Sequence, residues 1–514
     1  MHWADEVAGK LVERGGSHVI ETGTSISGIP HVGNASDIIR GDAVRKALSE
    51  EGADVRLIWV SDDSDPFRKV PAGMEALKDY LGFPVKDIPD PQGCHKGFVE
   101  HFAEPFIESL SKFGVTPEVY SGTSLYREGK LLPQIKKAFE EREKIREILN
   151  KFRQEPLPPD FVPWTPICSK CGRISTTKIN QVDGLKVHYT CQDSDVSGGS
   201  VKGCGHKGIS HADKGEGKLP WRVEWAARWS HFNVTCEPFG KDHAAPGGSY
   251  DTSKLISKEV FGWVPPEPVV YEFFTLNGAK ISSSAGNVIT PADWIEIAEP
   301  EVLKFFMYKR LLKQRDIDLT KIPNITDEYD NAEAAFFGKN SVPEEEGELP
   351  SRTYALSQIN EPKPLGVPYT VCAVLAQILP EGNKDLAVKR VKEMGYKEFD
   401  EELLMRRIKA ASHWVARFCP EHLKFTLLTE KPAVELTALQ VKGLHALAEA
   451  LNENWTPETL HKKIYETARG AGLQPTELFT AIYRALIGKD KGPKAAAFLL
   501  SLDRGFVRER FLSF

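Results

Sequence analysis

At 514 residues the chain exceeds what one ordinary core organises, and two to four domains are expected. Its 41% hydrophobic and 27% charged residues fit a globular protein; no stretch is apolar for long enough to span a bilayer, and the opening "MHWADEVAGK" lacks the apolar core of a secretory leader, which points to the cytoplasm and to no membrane partner. A net charge of −6, from 66 basic and 72 acidic residues, excludes nucleic-acid recognition by overall charge and leaves only local basic patches for it.

The first elements alternate. "SHVIETG" reads as a strand, "GIPHVGN" as a glycine-bearing turn, residues 35–52 as an amphipathic helix and residues 53–67 as a second strand ending in an acidic loop. The second run (Val55, Leu57, Ile58, Trp59, Val60) is apolar enough for burial on both faces. That favours a parallel α/β unit over an α+β domain and places a ligand site at the carboxyl ends of the strands. Residues 133–155 carry apolar positions at helical spacing and predict one long, salt-bridged surface helix. "PLPPDFVPWTP" then breaks the chain. A second α/β stretch covers residues 229–300, residues 341–366 read as a linker, and the remainder to Phe514 is helical in pattern, without internal repeats.

Five of the eight cysteines fall between 94 and 204, which suggests metal rather than disulfides. "CSKC" offers Cys168 and Cys171 from one tight turn, and Cys191 with Cys204 completes a tetrahedral set. The segment between the pairs, "KINQVDGLKVHYTC", predicts a hairpin with Asp-Gly at its turn. The second pair is wider than usual, so His206 is an alternative to Cys204. In "DPQGCHKGFVEH", Asp90, Cys94, His95 and His101 offer a second set of ligand types, for which ordinary loop residues are an equal reading.

In "GIPHVGN", a neutral His31 at a helix start can donate to a phosphate oxygen, and Gly28 and Gly33 allow close approach. About 250 residues later, "NGAKISSSAGN" presents Lys280 with Ser282, Ser283 and Ser284 between glycines. Together the two stretches suggest a triphosphate site at both ends of a split α/β domain.

"PHVGN" resembles the HIGH motif, and "KISSS" the KMSKS motif, of class I aminoacyl-tRNA synthetases. Asn34 replaces the second histidine and keeps a donor; Ser283 replaces the second lysine and removes a charge. "KGEGKLPWRVEWAARW" (214–229), "GKDHAAPGGSYDTS" (240–253), "RRIKAASHWVARFCPE" (406–421) and the ending "SLDRGFVRERF" are similar to the class I lysyl-tRNA synthetases, with "LPWRVEWAARW" shared with glutamyl-tRNA synthetases.

The resemblance implies a Rossmann-type α/β catalytic domain split by a zinc-bearing insertion and followed by an all-α C-terminal anticodon-binding region. Residues 1–85 would form the first half of the catalytic domain, 86–210 the insertion, 211–300 the second half, 301–350 a connecting segment and 351–514 the helical domain. It implies ATP-dependent attachment of L-lysine to tRNA(Lys) through a lysyl-adenylate, with ATP, Mg2+ and one or two Zn2+. It assigns His31, Asn34, Lys280, Ser282, Ser283 and Ser284 to catalysis, and Gly28, His31, Gly33, Asn34, Asp242 and Lys280 to ATP. It puts Gly23, Ser25, Trp221, His243, Tyr271 and Glu272 at lysine, and supports Asp90, Cys94, His95 and His101 as a second metal set. Arg406, Arg407 and Arg417, with His413 and Trp414, are the candidates for tRNA; for Trp414 helical packing is the stronger reading. Glutamyl specificity, or an inactive zinc-containing nucleic-acid-binding protein, are the competing readings.

Overall fold

The computed structural model describes residues 1–281, 287–339 and 349–514, which form two compact units. The first consists chiefly of Met1–Ala292 with Met307–Ile317; the second contains Asp293–Phe306 and the helical C-terminal region. Both helices that flank residue 300, Pro291–Ile297 and Pro300–Tyr308, lie mostly in the second unit.

The first unit is organised by five parallel strands: β1 (His18–Thr24), β2 (Val55–Ser61), β3 (Glu118–Ser121), β4 (Val234–Gly240) and β5 (Glu267–Tyr271), in the order β5-β4-β1-β2-β3. Strand order reverses between β1 and β4. The crevice outside the carboxyl ends of those two strands is where such sheets take ligands. The central strands are almost wholly buried because helices cover both faces. Among these helices are α1 (Trp3–Arg14), α2 (Val32–Glu50), α3 (Trp221–Phe232) and α4 (Ser249–Glu259), of which α2 and α3 reach the site. Ile58, Val60, Tyr126, Trp164, Trp225, Trp229 and Ile256 belong to one core that the two halves of the sheet domain share.

Three expectations change. Residues 86–210, read as an insertion, supply β3, the edge strand that pairs with β2; four residues with half-exposed side chains leave no apolar signature to read. The long helix expected over 133–155 is two, Leu132–Glu140 and Arg142–Asn150. Their buried sets, Ile135/Ala138/Phe139 and Ile145/Ile148/Leu149, would be rotated by about 80° on one continuous helix, so the chain turns at Glu141 to bury both. Within the expected linker, Pro350–Ser357 is helical and buries Tyr354 and Leu356.

The predicted hairpin is present. Thr177–Asp183 pairs with Lys186–Cys191, and Lys207–His211 adds a third antiparallel strand. A second small hairpin, Ser194–Val196 with Gly199–Val201, lies between Cys191 and Cys204. After residue 350 every regular element among the described residues is helical, including α5 (Glu401–Arg417).

Candidate active site

The turn between β1 and α2 is built by its own side chains. His31 is the N-cap of α2: its Nδ1 accepts the Gly33 N–H at 3.0 Å, while Asn34 Oδ1 accepts the His31 N–H at 3.0 Å. The reciprocal pair satisfies donors that a helix start leaves open. A Cβ on Gly33 would stand 2.7 Å from His31 Cε1, so the ring fits only over a glycine. With Nδ1 accepting, the hydrogen of the imidazole sits on Nε2. Burial holds the ring pKa down at about 4, so His31 is neutral near pH 7 and its Nε2 is a donor. The Asn34 amide NH2 is a second donor at the positive end of the helix dipole.

Beside this turn a cavity of about 610 Å³ opens at the carboxyl ends of β1, β2, β4 and β5. Gly23, Ser25, Gly33, Asn34, Trp221, Asp242, His243 and Tyr271 all line it. One wall is aromatic: Trp221 stacks on Trp225 with ring centroids 5.3 Å apart, and His243 meets Trp225 edge-on at 5.5 Å. Burial lowers the His243 pKa, which leaves its ring neutral. The floor is charged. Arg228, buried, donates to Glu21 at 2.8 Å and Asp62 at 2.5 Å, and its guanidinium lies 5.5 Å from the Trp221 ring. Glu237 accepts the indole N–H of Trp225 at 2.8 Å and that of Trp229; burial raises its pKa well above the usual range.

Asp37 accepts the Tyr271 hydroxyl, and Arg40 lies 4.0 Å from the Tyr271 ring centroid. Dehydration by the surrounding protein raises the Asp37 pKa to about 7, against the pull of Tyr271 and Arg40. Five carboxylates (Asp37, Asp62, Asp65, Glu237, Asp242) and two guanidiniums (Arg68, Arg228) line the cavity. Burial favours the neutral form of Glu237 and leaves Asp37 partly ionised near pH 7. Asp62, Asp65 and Asp242 with that share of Asp37 still outnumber the two guanidiniums, so the balance is negative and suits a cationic guest.

Sequence reasoning missed Asp37, Asp62, Trp225, Arg228 and Glu237. Trp225 and Arg228 stand four and seven residues after Trp221, on the same helical face, so that spacing was a usable signal. Glu237, an acid inside a buried strand, carries none.

The two metal candidates are both assembled. Sγ atoms of Cys168, Cys171, Cys191 and Cys204 lie within 4.8 Å of one another, with Cys168–Cys204 and Cys171–Cys191 at 3.7 Å. Four thiolates about 2.3 Å from a central ion have tetrahedral edges of about 3.8 Å, so the set fits zinc. His206 stands outside it and meets Ser169 Oγ at 3.2 Å, which makes Cys204 the fourth corner. Asp90, Cys94, His95 and His101 form the second group: Cys94 Sγ is 3.0 Å from His95 Nδ1 and 3.3 Å from His101 Nδ1, which is 3.0 Å from Asp90 Oδ1.

A family model described as tRNA synthetases class I (K) matches residues 1–360. Lysine–tRNA ligases from Methanosphaera stadtmanae, Methanocaldococcus jannaschii and Pyrococcus horikoshii are 38%, 39% and 38% identical, over 99%, 100% and 99% of this chain and the same shares of theirs. The chain belongs to the class I lysyl-tRNA synthetases.

In this synthetase Gly28 adopts a φ of +152°, open to glycine, in the turn before His31. Lys280 is exposed at the end of the strand Ala279–Lys280, and Asn287 Nδ2 donates to its carbonyl at 3.1 Å. It is not among the lining residues of the cavity. Ser282, Ser283 and Ser284 lie outside the described residues. Beyond them, the Ile289 carbonyl accepts the Val32 N–H at 2.9 Å and ties the segment around Ile289 to the start of α2.

Two expected residues are placed elsewhere. Glu272 does not line the cavity and pairs with Lys241 at 2.6 Å; it follows Tyr271 at a strand end, where successive side chains point to opposite sides. Arg407, expected at tRNA, is buried and bonds Glu299 at 2.6 Å, Asp330 at 2.8 Å and the Val367 carbonyl at 2.9 Å. It shares the inner face of α5 with Leu404, Ala411 and Trp414, whose indole N–H donates to the Leu319 carbonyl at 2.8 Å. Arg406 pairs with Glu301 at 2.9 Å, His413 with Glu296 at 3.0 Å and Arg417 with Asp293 at 3.7 Å, all with partly exposed side chains.

Proposed function

We propose that this synthetase attaches L-lysine to tRNA(Lys) in two steps on the site at the carboxyl ends of β1 and β4. In the first, the lysine carboxylate attacks the α-phosphorus of ATP in line. A carboxylate oxygen–phosphorus bond forms, the bond to the bridging oxygen of the β-phosphate breaks, and pyrophosphate leaves with the negative charge. In the second, the terminal ribose hydroxyl of tRNA attacks the adenylate carbonyl; lysyl-tRNA forms, AMP leaves, and the hydroxyl proton passes to solvent.

A carboxylate is already a nucleophile, so the first step needs positioning and hydrogen-bond donors aimed at the developing phosphate charge, and no general base. His31 Nε2 and the Asn34 amide supply donors from the start of α2, and Lys280 with Ser282 to Ser284 is the partner set on the later loop. Magnesium enters with ATP as the substrate complex and supplies positive charge on its phosphates.

The observation that carries lysine as the substrate is the negative cavity beside the His31 cap. An ε-ammonium on a methylene stem calls for an acceptor at its far end and apolar walls beside it. Asp37, oriented by the Tyr271 hydroxyl, is that acceptor, and Trp221 and Trp225 are the walls. A glutamate side chain would meet like charge there, which disfavours the glutamyl reading.

Cys168, Cys171, Cys191 and Cys204 would hold a zinc ion that pins the hairpins together. A four-ligand protein set leaves no open position, so the role is structural. Asp90, Cys94, His95 and His101 would hold a second. The exposed face of α5 that bears Arg406, His413 and Arg417 is the candidate tRNA surface.

The test is aminoacylation of total tRNA with ATP, magnesium and each labelled amino acid in turn. Charging with lysine alone is expected; charging with glutamate would overturn the specificity, and no charging by folded protein would overturn the activity.

A further inference from the structure

The departure at Ser283 leaves the later loop one cation short of the KMSKS pattern, and the described part of the structure offers a replacement. A second cavity, of about 380 Å³, adjoins the first; Ser25, Ser27, Asp65 and Arg68 line both, and His31 and Lys69 line only the second. Arg68 is exposed to this space. Its neighbours Asp62 and Asp65 are engaged by Arg228 and Lys218 respectively. Among the described residues the Arg68 guanidinium has no hydrogen-bond or ion-pair partner. A guanidinium presents donors in a fork that matches two oxygens of a phosphate.

The backbone of Arg68 is held with care. Its carbonyl accepts the Gly198 N–H at 2.7 Å and the Ser197 hydroxyl at 3.2 Å, both from the tip of the small hairpin between Cys191 and Cys204. A Cβ on Gly198 would stand 2.7 Å from that carbonyl oxygen and 3.0 Å from Lys69 Cα. The loop and the hairpin tip thus fit only with glycine between them. Further along, the Gly82 carbonyl accepts the N–H groups of Ile174 and Ser175, which follow the CSKC turn. The cysteine knuckle grips the Arg68-bearing loop at both ends.

We propose that Arg68 is a ligand of the ATP polyphosphate, held by the knuckle hairpin through its backbone carbonyl, and that it supplies the positive charge Ser283 lacks. This rests on the lysylation reading for its substrate. It adds a phosphate-binding residue from the β2 side of the site and gives the knuckle a function: positioning that residue.

The experiment uses the full-length chain and four proteins: the parent, Arg68→Ala, Arg68→Lys and Gly198→Ala. Calorimetric binding of ATP, AMP and lysine is measured separately, alongside KM for ATP and for tRNA in aminoacylation. Arg68→Ala is expected to weaken ATP by about ten- to a hundredfold, the loss of a hydrogen bond to a charged group, with AMP and lysine binding unchanged. Arg68→Lys is expected to recover part of the loss, and Gly198→Ala to weaken ATP more than AMP with Arg68 still present. Equal losses for ATP and AMP would overturn the polyphosphate assignment. Unchanged ATP binding with a raised KM for tRNA would overturn it in favour of a tRNA phosphate on the same guanidinium. An AMP-to-ATP ratio untouched by Gly198→Ala would overturn the positioning role of the hairpin. The parent chain is the control for the underlying reading: if it charges no tRNA with lysine, that reading fails, while the ATP-against-AMP preference of Arg68 is still read by calorimetry.

Discussion

His31 and Gly33 form one unit: the imidazole accepts the Gly33 amide at 3.0 Å and covers the space that a Cβ at position 33 would fill. The H-x-G spacing is therefore a steric requirement of the cap. The cap also sets the tautomer, leaving Nε2–H to donate.

Replacing His31 separates its two jobs. His31→Ala is expected to lose the cap, worth about 1 kcal/mol, and to slow activation by about a hundredfold or more through the missing donor. His31→Asn restores a good N-cap residue and should recover the melting temperature without recovering the rate. Thermal unfolding and single-turnover adenylate formation together check this; full activity in His31→Asn would remove the Nε2 donor from the mechanism.

With Asp37 as the proposed ammonium acceptor, lysine binding is expected to depend on pH. Its carboxyl titrates at about 7 in the free chain, and only the ionised form attracts the ε-ammonium, so lysine affinity should fall as pH drops below 7, by up to about tenfold per unit. The sign for stability is the opposite. The folded pKa is raised, so the contribution of Asp37 to ligand-free stability is full at low pH and is lost as pH rises through about 7. Asp37→Asn should bind lysine weakly at every pH and flatten the profile; a parent-like slope in the variant would assign the titration to another group.

Metal analysis of the purified chain should find at least one tightly held ion. Chelation, or Cys191→Ser, is expected to expose the amides of Thr177–Asp183 and Lys186–Cys191 to hydrogen exchange, because four thiols that hold an ion share its binding energy with the local fold. Unchanged exchange after complete metal loss would show that the hairpin stands without the ion.

Arg407 and Arg417 lie on one helix and should behave differently. Arg407→Ala strips a cation from buried Glu299 and from Asp330 and should destabilise its unit by about 3–5 kcal/mol. Arg417→Ala, on the exposed face, should leave stability near the parent value and raise KM for tRNA, with a shallower dependence on salt. Denaturant titration and KM at two salt concentrations separate the two; a stable Arg407→Ala with a raised tRNA KM would reverse the assignment.

Patterns local in the chain were legible without coordinates. The β-branched and aromatic runs of β1 and β2, the glycine turn with His31, the CSKC pair and the Asp-Gly hairpin each depend on residues within a few positions of one another, where backbone sterics and ligand spacing act directly. Trp221, His243 and Tyr271 reached the site through a resemblance, and the cavity brings them together. What only tertiary structure decided was the electrostatics and the partners. Arg407 and Arg417 have the same charge on the same helix, yet one is sealed against carboxylates and the other faces solvent. Glu272 turned to Lys241 while Asp37, unremarkable in the sequence, met Tyr271 across 234 positions. A short half-exposed strand such as β3 joins the sheet by backbone pairing and by contacts to remote residues, Glu118 to Arg56 and Ser121 to Asp63, which its own four residues do not announce. Charge, burial and hydrogen bonding are properties of what surrounds a group, and for these residues the surroundings come from remote parts of the chain.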